Sequence, residues 1–224
     1  MNVAVVTGAA GALGAAVLDD LTSRGWTVAA LDRPGERLEA VRRDGVVPVE
    51  VDLLSRASVR AAFEQVDALG SPTALVALAG AFASAPLADL AEDELDAMWG
   101  TNVAALVWCC QAAAPRLAAA GGGSIVTVGS RSAVSGSAPV AYGAAKAAVV
   151  RATELLAVEL RPQRVRVNCV LPSVIDSPAN RSWMPPQLAA RAVPTSAIAP
   201  VIAFLLGPES APVSGARIPV YGDA

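Results

Sequence analysis

Histidine is absent from the 224-residue sequence. This absence excludes catalytic triads that use a histidine base, histidine metal ligands and histidine-based pH switching. Cysteine is scarce, with only Cys109, Cys110 and Cys169, and these lack the spacing of a metal site. An odd number of cysteines, two of them adjacent, is typical of reduced thiols, so we expect a cytoplasmic protein without a metal.

Positive charge and long apolar runs are also scarce. The 17 basic residues are outnumbered by 20 acidic residues, and there is no basic stripe, so we expect no nucleic-acid partner. No stretch reaches the roughly 18 uninterrupted apolar residues that a membrane span needs. The apolar N-terminus lacks a basic region and is interrupted by glycines, which argues against a targeting segment. We therefore expect no membrane association.

What the sequence does contain is an alternation of short apolar runs with helical patterns, and its length suits a single domain over residues 1–224. Apolar runs predict strands at 2–6, 27–31, 46–51, 73–78, 124–128, 165–170 and 217–220. Helices are predicted at 12–24, 33–44, 55–69, 92–120 (interrupted near Pro115), 138–160 and 197–206. The polar, proline-containing segment 176–194 is predicted to be a loop or lid. Fully apolar strands that alternate with helices indicate an α/β fold, a doubly wound Rossmann-type parallel sheet of about seven strands.

A glycine-rich segment, T-G-A-A-G-A-L-G, lies between the first predicted strand and the first predicted helix. There, Gly8 permits a tight turn, Gly11 lets the backbone approach a pyrophosphate, and Gly14 lets the helix pack closely on the strand. The helix N-terminus then faces the phosphates. Asp32 ends the second strand, where a carboxylate binds the ribose hydroxyls of NAD. Arg33 could instead hold the 2′-phosphate of NADP, so NAD is preferred and NADP stays possible.

Tyr142 and Lys146 are four residues apart in a predicted helix, which places them on one face. A lysine charge favours the phenolate, so we expect Lys146 to lower the pKa of Tyr142 from its usual value of about 10. A tyrosine tuned in this way can act as a general acid or base on a substrate oxygen.

Seven motifs occur in an order that resembles the short-chain dehydrogenase/reductase family, from residue 2 to about 222. They are T-G-A-A-G-A-L-G, L-A-G at 78–80, Asn102, I-V-T-V-G-S ending at Ser130, Tyr142 with Lys146, V-R-V-N-C-V-L-P ending at Pro172, and S-G-A-R-I-P-V. The chain departs from the family in having A-L-A-G where N-N-A-G is usual. Ser130 also precedes Tyr142 by 12 positions rather than the usual 13.

The resemblance implies specific roles for these residues. Tyr142 would be the general acid/base, Lys146 would hold the nicotinamide ribose, and Asn102 would position a water molecule that links the lysine to solvent. Ser130 would bind the substrate carbonyl, and the shortened spacing leaves Ser132 as the alternative serine.

The cofactor candidates combine the glycine-rich loop with what the resemblance implies, including Asp52 beside the adenine and Ser177 near the nicotinamide. They are Gly8, Ala10, Gly11, Ala12, Leu13, Gly14, Asp32, Arg33, Asp52, Leu53, Ala79, Gly80, Tyr142, Lys146, Pro172, Ile175 and Ser177. Besides Ser132, the substrate candidates are Asn180, Arg181 and Met184 in the predicted lid.

The implied function is an NAD(P)-dependent oxidoreductase acting on a small carbonyl or secondary alcohol. A local similarity of the segment V-L-P-S-V-I-D-S-P-A-N-R-S-W-M-P to dihydropteridine reductases leaves open an NADH-dependent dihydropteridine-type or imine reductase. A non-catalytic NAD(P)-sensing protein is the alternative of another class. The apolar helices 92–120 and 138–160 predict a homodimer or homotetramer.

Overall fold

The structure, a computed structural model, describes residues 2–223. Seven strands form one parallel sheet in the order β3-β2-β1-β4-β5-β6-β9, and two short strands form a separate pair. The strands are β1 (Val3–Thr7), β2 (Thr27–Asp32), β3 (Val46–Glu50), β4 (Pro72–Ala77), β5 (Gly123–Val128), β6 (Val165–Pro172), β7 (Ile175–Asp176), β8 (Val193–Pro194) and β9 (Arg217–Val220). Because β1 pairs with both β2 and β4, the chain direction across the sheet switches there, and a crevice opens at the carboxyl ends of these strands.

Helices cover both faces of the sheet. They are α1 (Ala12–Ser23), α2 (Glu36–Glu39), α3 (Arg56–Val66), α4 (Glu92–Trp99), α5 (Ala105–Ala119), α6 (Val140–Glu159), α7 (Pro178–Arg181), α8 (Pro186–Ala189) and α9 (Thr195–Leu206). Alternate residues of β1 point to opposite sides: Val5 joins the apolar cluster under α3, α5 and α6, and Val6 joins the one under α1 and α9. The predicted Rossmann-type fold is therefore confirmed. No helix within residues 2–223 has both the length and the apolar character to cross a membrane.

The predicted helix 33–44 is wrong in extent, because α2 occupies only Glu36–Glu39. Pro34 disfavours helical backbone at the residue before it. Gly35 has φ +143°, outside the helical region. These two residues delay the start of the helix and leave residues 33–35 as an open turn.

The interruption predicted near Pro115 is also wrong, since Pro115 lies inside an unbroken α5. The break lies instead at Gly100–Ala104, a π-helical turn between α4 and α5. There the side chain of Asn102 donates a hydrogen bond to the carbonyl of Met98 at 3.0 Å. A side chain that takes a carbonyl from the helical ladder changes the helix locally, and π turns are frequent at functional sites.

The predicted loop 176–194 contains two short helices, α7 and α8. Its ends are joined by a parallel pair of strands in which Ile175 is opposite Val193 and Asp176 is opposite Pro194. The segment is therefore an excursion with a fixed base, and we call residues 176–194 the lid.

Candidate active site

A cleft of about 910 Å³ lies at the crevice where the strand order switches. The predicted cofactor residues that line it are Gly8, Ala10, Gly11, Ala12, Leu13, Gly14, Asp32, Arg33, Asp52, Leu53, Ala79, Gly80, Ile175 and Ser177. Its lining does not include Tyr142, Lys146 or Pro172. Sequence reasoning missed the remaining lining residues apart from Asn180, namely Pro34, Gly35, Glu36, Arg37, Leu54, Leu78, Ala81 and Thr101.

The glycine-rich loop has no room for side chains at two positions. A Cβ on Gly14 would lie 2.4 Å from the carbonyl oxygen of Ala9, and a Cβ on Gly8 would lie 2.9 Å from the nitrogen of Ala79. No side chain caps the N-terminus of α1, so its first N–H groups are available to a ligand in the cleft. Free N–H groups and the positive end of the helix dipole suit a pyrophosphate. These residues therefore fit a dinucleotide.

Asp32 ties the end of β2 to the glycine-rich loop. One carboxylate oxygen accepts a hydrogen bond from the N–H of Ala10 at 2.9 Å, and the other accepts one from the N–H of Arg33 at 2.8 Å. Arg37 lies on the same side and donates to the carbonyl of Ala10 at 3.5 Å. Arg37 carried no sequence signal, because its place in the cleft depends on the late start of α2.

Asn102 and Lys146 converge on the backbone of one glycine that lines the cleft. A Cβ on Gly80 would lie 2.8 Å from Oδ1 of Asn102 and 3.1 Å from Nζ of Lys146. The amide of Asn102 also donates to the carbonyl of Ala81 at 3.1 Å. Residues that are far apart in the sequence thus meet at one wall of the cleft.

Lys146 is the only lysine in the sequence, and it is buried. Its Nζ donates a hydrogen bond to the carbonyl of Val128 at 3.0 Å, at the end of β5. Burial lowers the pKa of Lys146 to about 8, and the nearby thiol of Cys169 opposes this effect. The lysine can therefore exchange a proton near neutral pH.

Tyr142 has a pKa shifted in the direction opposite to the one predicted from its spacing to Lys146. Burial raises the pKa of the phenol, and a hydrogen bond with Ser130 partly opposes the increase. The reason is that the ammonium of Lys146 is directed to Val128, while Ser130 is the group that acts on the phenol. In the structure, the phenol of Tyr142 is thus held in its protonated form.

The two candidate serines occupy different positions relative to the tyrosine. Ser130 is hydrogen-bonded with Tyr142. Ser132 is hydrogen-bonded to Ser130, with the two serine hydroxyl oxygens 2.8 Å apart. Ser130 is therefore the serine that the structure bonds to the phenol, and Ser132 is bonded to Ser130.

The lid brings only one of its three predicted substrate residues to the cleft. Asn180 lines the cleft, and its amide donates to the carbonyl of Ile175 at 2.8 Å. Arg181 forms an ion pair with Asp176, with Nη2 and Oδ2 2.7 Å apart. Met184 is only 8% exposed and does not line the cleft.

An aromatic residue that sequence reasoning missed lies beside Tyr142, and a second one stacks on the first. The ring centroid of Phe82 is 4.9 Å from that of Tyr142, with the rings edge to face. The indole of Trp183 stacks on Phe82 at 6.2 Å, with 11° between the ring planes. The available signal was a phenylalanine directly after L-A-G-A, together with a tryptophan inside the lid.

Comparison with known proteins shows similarity over nearly the whole chain. The model of the short chain dehydrogenase family matches residues 2–187. D-threitol dehydrogenase of Mycolicibacterium smegmatis is 33% identical over 238 residues, which cover 99% of this chain and 92% of that enzyme. L-xylulose reductase of Bos taurus is 30% identical over 233 residues, with 98% and 94% covered.

A solved structure has the same fold. The 3-ketoacyl-(acyl-carrier-protein) reductase from Brucella melitensis complexed with NADH superposes with a TM-score of 0.92 and 25% identity. The alignment covers 99% of this chain and 97% of that one.

Proposed function

The chain belongs to the short-chain dehydrogenase/reductase family and is an NAD(P)-dependent oxidoreductase of alcohol or carbonyl groups, and we propose that Tyr142 is its general acid/base. A nicotinamide cofactor bound in the cleft supplies or accepts the hydride. The observation that carries the proposal is the arrangement of Tyr142 with Ser130, and of Lys146 with Asn102 around Gly80 at the cleft wall.

Each side chain has a proposed task at a stated atom. The hydroxyl of Ser130 donates a hydrogen bond to the substrate oxygen, which keeps that oxygen next to the phenol of Tyr142. In the reductive direction the phenol gives its proton to this oxygen as negative charge develops on it. Because burial raises the pKa of Tyr142, the phenol enters the reaction protonated at neutral pH. Lys146, with a pKa of about 8, then returns a proton to the phenolate.

Asn102 has a positioning role in the proposal. Its amide nitrogen is held by the carbonyls of Met98 and Ala81, and its oxygen accepts the N–H of Ala81 at 3.3 Å. This fixes the π-helical turn against the cleft wall beside Lys146. A water molecule held there would connect the lysine to solvent.

NAD is the proposed cofactor, with NADP as the alternative. The negative charge of Asp32 at the end of β2 opposes a 2′-phosphate. Asp32 also accepts the N–H of Ala10, and this hydrogen bond holds its carboxylate in place at the proposed ribose end of the cleft. Arg33 and Arg37 line the same end and are the groups that would favour NADP. The ratio of the NADH and NADPH dissociation constants distinguishes the two.

Four further properties belong to the proposal. The protein is a single catalytic domain, it acts in the cytoplasm, its partner is a small carbonyl or alcohol, and it forms a homodimer or homotetramer. The names of the relatives, which refer to D-threitol and L-xylulose, support an alcohol or ketone rather than a pterin or an imine. They equally disfavour a non-catalytic sensor.

Replacing Tyr142 by phenylalanine tests the assigned role. Tyr142→Phe removes only the hydroxyl, so we expect turnover to fall by about a hundredfold or more while NADH still binds. The measurements are steady-state turnover over a panel of ketones and the dissociation constant of NADH.

Tyr221→Phe is the matched control, because Tyr221 is the only other tyrosine in the sequence. It is expected to keep both turnover and NADH affinity. Near-normal turnover of Tyr142→Phe would contradict the assignment.

A further inference from the structure

We propose that Phe82 and Trp183 form the substrate-recognition surface, and that the substrate carries an aromatic or other apolar ring one or two bonds away from its reacting carbonyl or alcohol carbon. A hydroxyl-rich polyol or ketose would be the poorer substrate. This inference rests on the proposed function, since Tyr142 marks where the reacting oxygen lies.

The two rings form a chain of ring contacts that begins at the proposed acid/base. Phe82 touches Tyr142 edge to face, and Trp183 lies nearly parallel to Phe82. Phe82 comes from the segment after β4, and Trp183 comes from the lid. A ligand bound through its oxygen at Tyr142 therefore has apolar ring surface on two separate segments within reach.

Both rings are exposed to solvent in the structure. Phe82 is 54% exposed and Trp183 is 51% exposed. The whole sequence has only four tryptophans, two tyrosines and three phenylalanines, and three of these nine residues meet here. Exposed aromatic surface that adjoins a catalytic group is typical of a site that buries an apolar ligand.

The polar side chains next to Trp183 are engaged within the lid. Arg181 is paired with Asp176, Asn180 donates to the carbonyl of Ile175, and the hydroxyl of Ser182 donates to the carbonyl of Ala179 at 2.7 Å. On the other segment, a carboxylate oxygen of Glu94 accepts the N–H of Ala85 at 3.3 Å.

The faces of the two rings themselves offer no hydrogen-bond donor or acceptor to a substrate hydroxyl. Hydroxyls of a ketose buried against the rings would lose their bonds to water without replacement, which disfavours binding. An apolar ring has no such loss, and it gains ring–ring contact.

The test compares two ketones with the same number of non-hydrogen atoms, phenylacetone and a ketopentose, with NADH as reductant. We expect kcat/KM for phenylacetone to exceed that for the ketopentose by about a hundredfold. Apolar contacts that one substrate makes and the other lacks give discrimination of this order. A higher kcat/KM for the ketopentose would overturn the inference but leave the proposed function intact. If the protein reduces neither phenylacetone nor the ketopentose, the inference is overturned. If it also fails to reduce butanone and the other ketones of the panel, the proposed function is overturned as well.

Variants of the two rings separate recognition from positioning of Tyr142. Phe82→Ala and Trp183→Ala are each expected to raise KM for phenylacetone about tenfold or more. Both variants should lose far less in kcat/KM for butanone, which has no ring, than for phenylacetone, and their affinity for NADH should stay within about twofold of the wild type. Trp183→Phe, which keeps a ring, should restore most of the loss. Phe204→Ala is the control, because Phe204 is an exposed phenylalanine of similar exposure, 47%, on α9.

Equilibrium binding gives a readout that does not depend on turnover. In the Tyr142→Phe protein saturated with NADH, phenylacetone should bind about tenfold more weakly when Phe82 is also replaced by alanine. Equal losses for phenylacetone and butanone in the Phe82→Ala protein would overturn the recognition role, because they would show that Phe82 acts by holding Tyr142. Unchanged phenylacetone binding in both alanine variants would overturn it as well.

Discussion

Tyr142 and Lys146 lie in the first two turns of α6, and burial shifts the pKa of each in a different direction. It raises the pKa of the Tyr142 phenol, which is neutral when protonated, and lowers that of the Lys146 ammonium to about 8. Both shifts favour the uncharged form. The site therefore holds a protonated acid next to a lysine that releases its proton easily.

The sixteen other basic residues of the sequence are all arginine. An arginine keeps its charge when buried, whereas a lysine can lose it. Proton exchange near neutral pH is thus available from one basic side chain only, and that side chain is at the site. The presence of a single lysine was therefore a second signal in the sequence that Lys146 is functional, besides its spacing from Tyr142.

Burial of Lys146 is expected to reduce the stability of the protein. Its pKa in the folded state, about 8, is below its ordinary value of 10.5, so the unfolded chain binds the proton more tightly. The penalty is fully present below pH 8 and disappears as the pH rises to 10.5. The stability advantage of Lys146→Met over the wild type should therefore be largest below pH 8 and shrink by about 3 kcal/mol as the pH rises to 10.5. Chemical denaturation of both proteins across this pH range measures the difference.

The comparison with Lys146→Met is needed because the buried thiols lower the stability of the protein as the pH rises, whereas loss of the Lys146 proton raises it. Burial raises the pKa of Cys109 to about 12, so this thiol lowers stability as the pH rises above its ordinary value of 9.0. Cys109 and Cys110, whose pKa values do not depend on Lys146, are present in both proteins and cancel in the difference. Arg151→Met, which removes an exposed cation from the same helix, should show no such pH dependence. A difference between wild type and Lys146→Met that does not change with pH would contradict the prediction.

At the scale of elements, the strands and long helices follow local patterns and were predictable. Ser55 caps α3 as expected, accepting the N–H of Ser58 at 3.2 Å. The late start of α2 follows from Pro34 and Gly35, which a helical pattern alone does not weigh. The break between α4 and α5 lies at the π-helical turn, where Asn102 reaches Met98, and not at Pro115. Neither feature leaves a periodic trace in the sequence.

Gly14 determines how closely α1 approaches the glycine-rich loop. A methyl group there would meet two backbone carbonyls, those of Ala9 at 2.4 Å and Gly8 at 2.5 Å. Since neither carbonyl can yield as a flexible side chain would, Gly14→Ala must push the helix away from the loop. We expect a loss of about 1–3 kcal/mol in the free energy of unfolding. NADH affinity should fall about tenfold or more, as measured by titration calorimetry.

Gly143→Ala is the matched control for this substitution. A Cβ on Gly143 would lie 3.5 Å from its nearest neighbour, which is ordinary contact, and the residue lies inside α6. It should keep its NADH affinity and be as stable as the wild type or slightly more so. If Gly14→Ala bound NADH as tightly as Gly143→Ala does, the close approach would not matter for the cofactor.

At the scale of the whole molecule, α6 has one face in the core and another that exposes apolar side chains. Leu155 and Val158 are exposed there, and Val107 is exposed on α5. Apolar surface on long helices is commonly covered by a second copy of the chain. This is the physical basis of the proposed homodimer or homotetramer.

Val158→Asp tests the proposed assembly. Val158 is 71% exposed, so the charge should not disturb the fold of one subunit, but it would be buried in an interface. We expect sedimentation velocity to show a smaller species than the wild type. Leu87→Asp is the control, because Leu87 is also 71% exposed and lies outside α6. Equal sedimentation of the two variants and the wild type would contradict an interface at Val158.

Local patterns were enough to predict the parallel sheet, the glycine-rich loop and the placement of Tyr142 and Lys146 on one helix face, because strand alternation, tight turns and helical repeats are properties of short stretches of chain. The direction of the Tyr142 pKa shift, the partner of Lys146 and the stacking of Phe82 with Trp183 became known only from the folded chain. Desolvation depends on everything that packs around a group, and the two rings come from segments that are distant in the sequence. The residues of the site could therefore be predicted from the sequence, but their pKa shifts and their contacts could not.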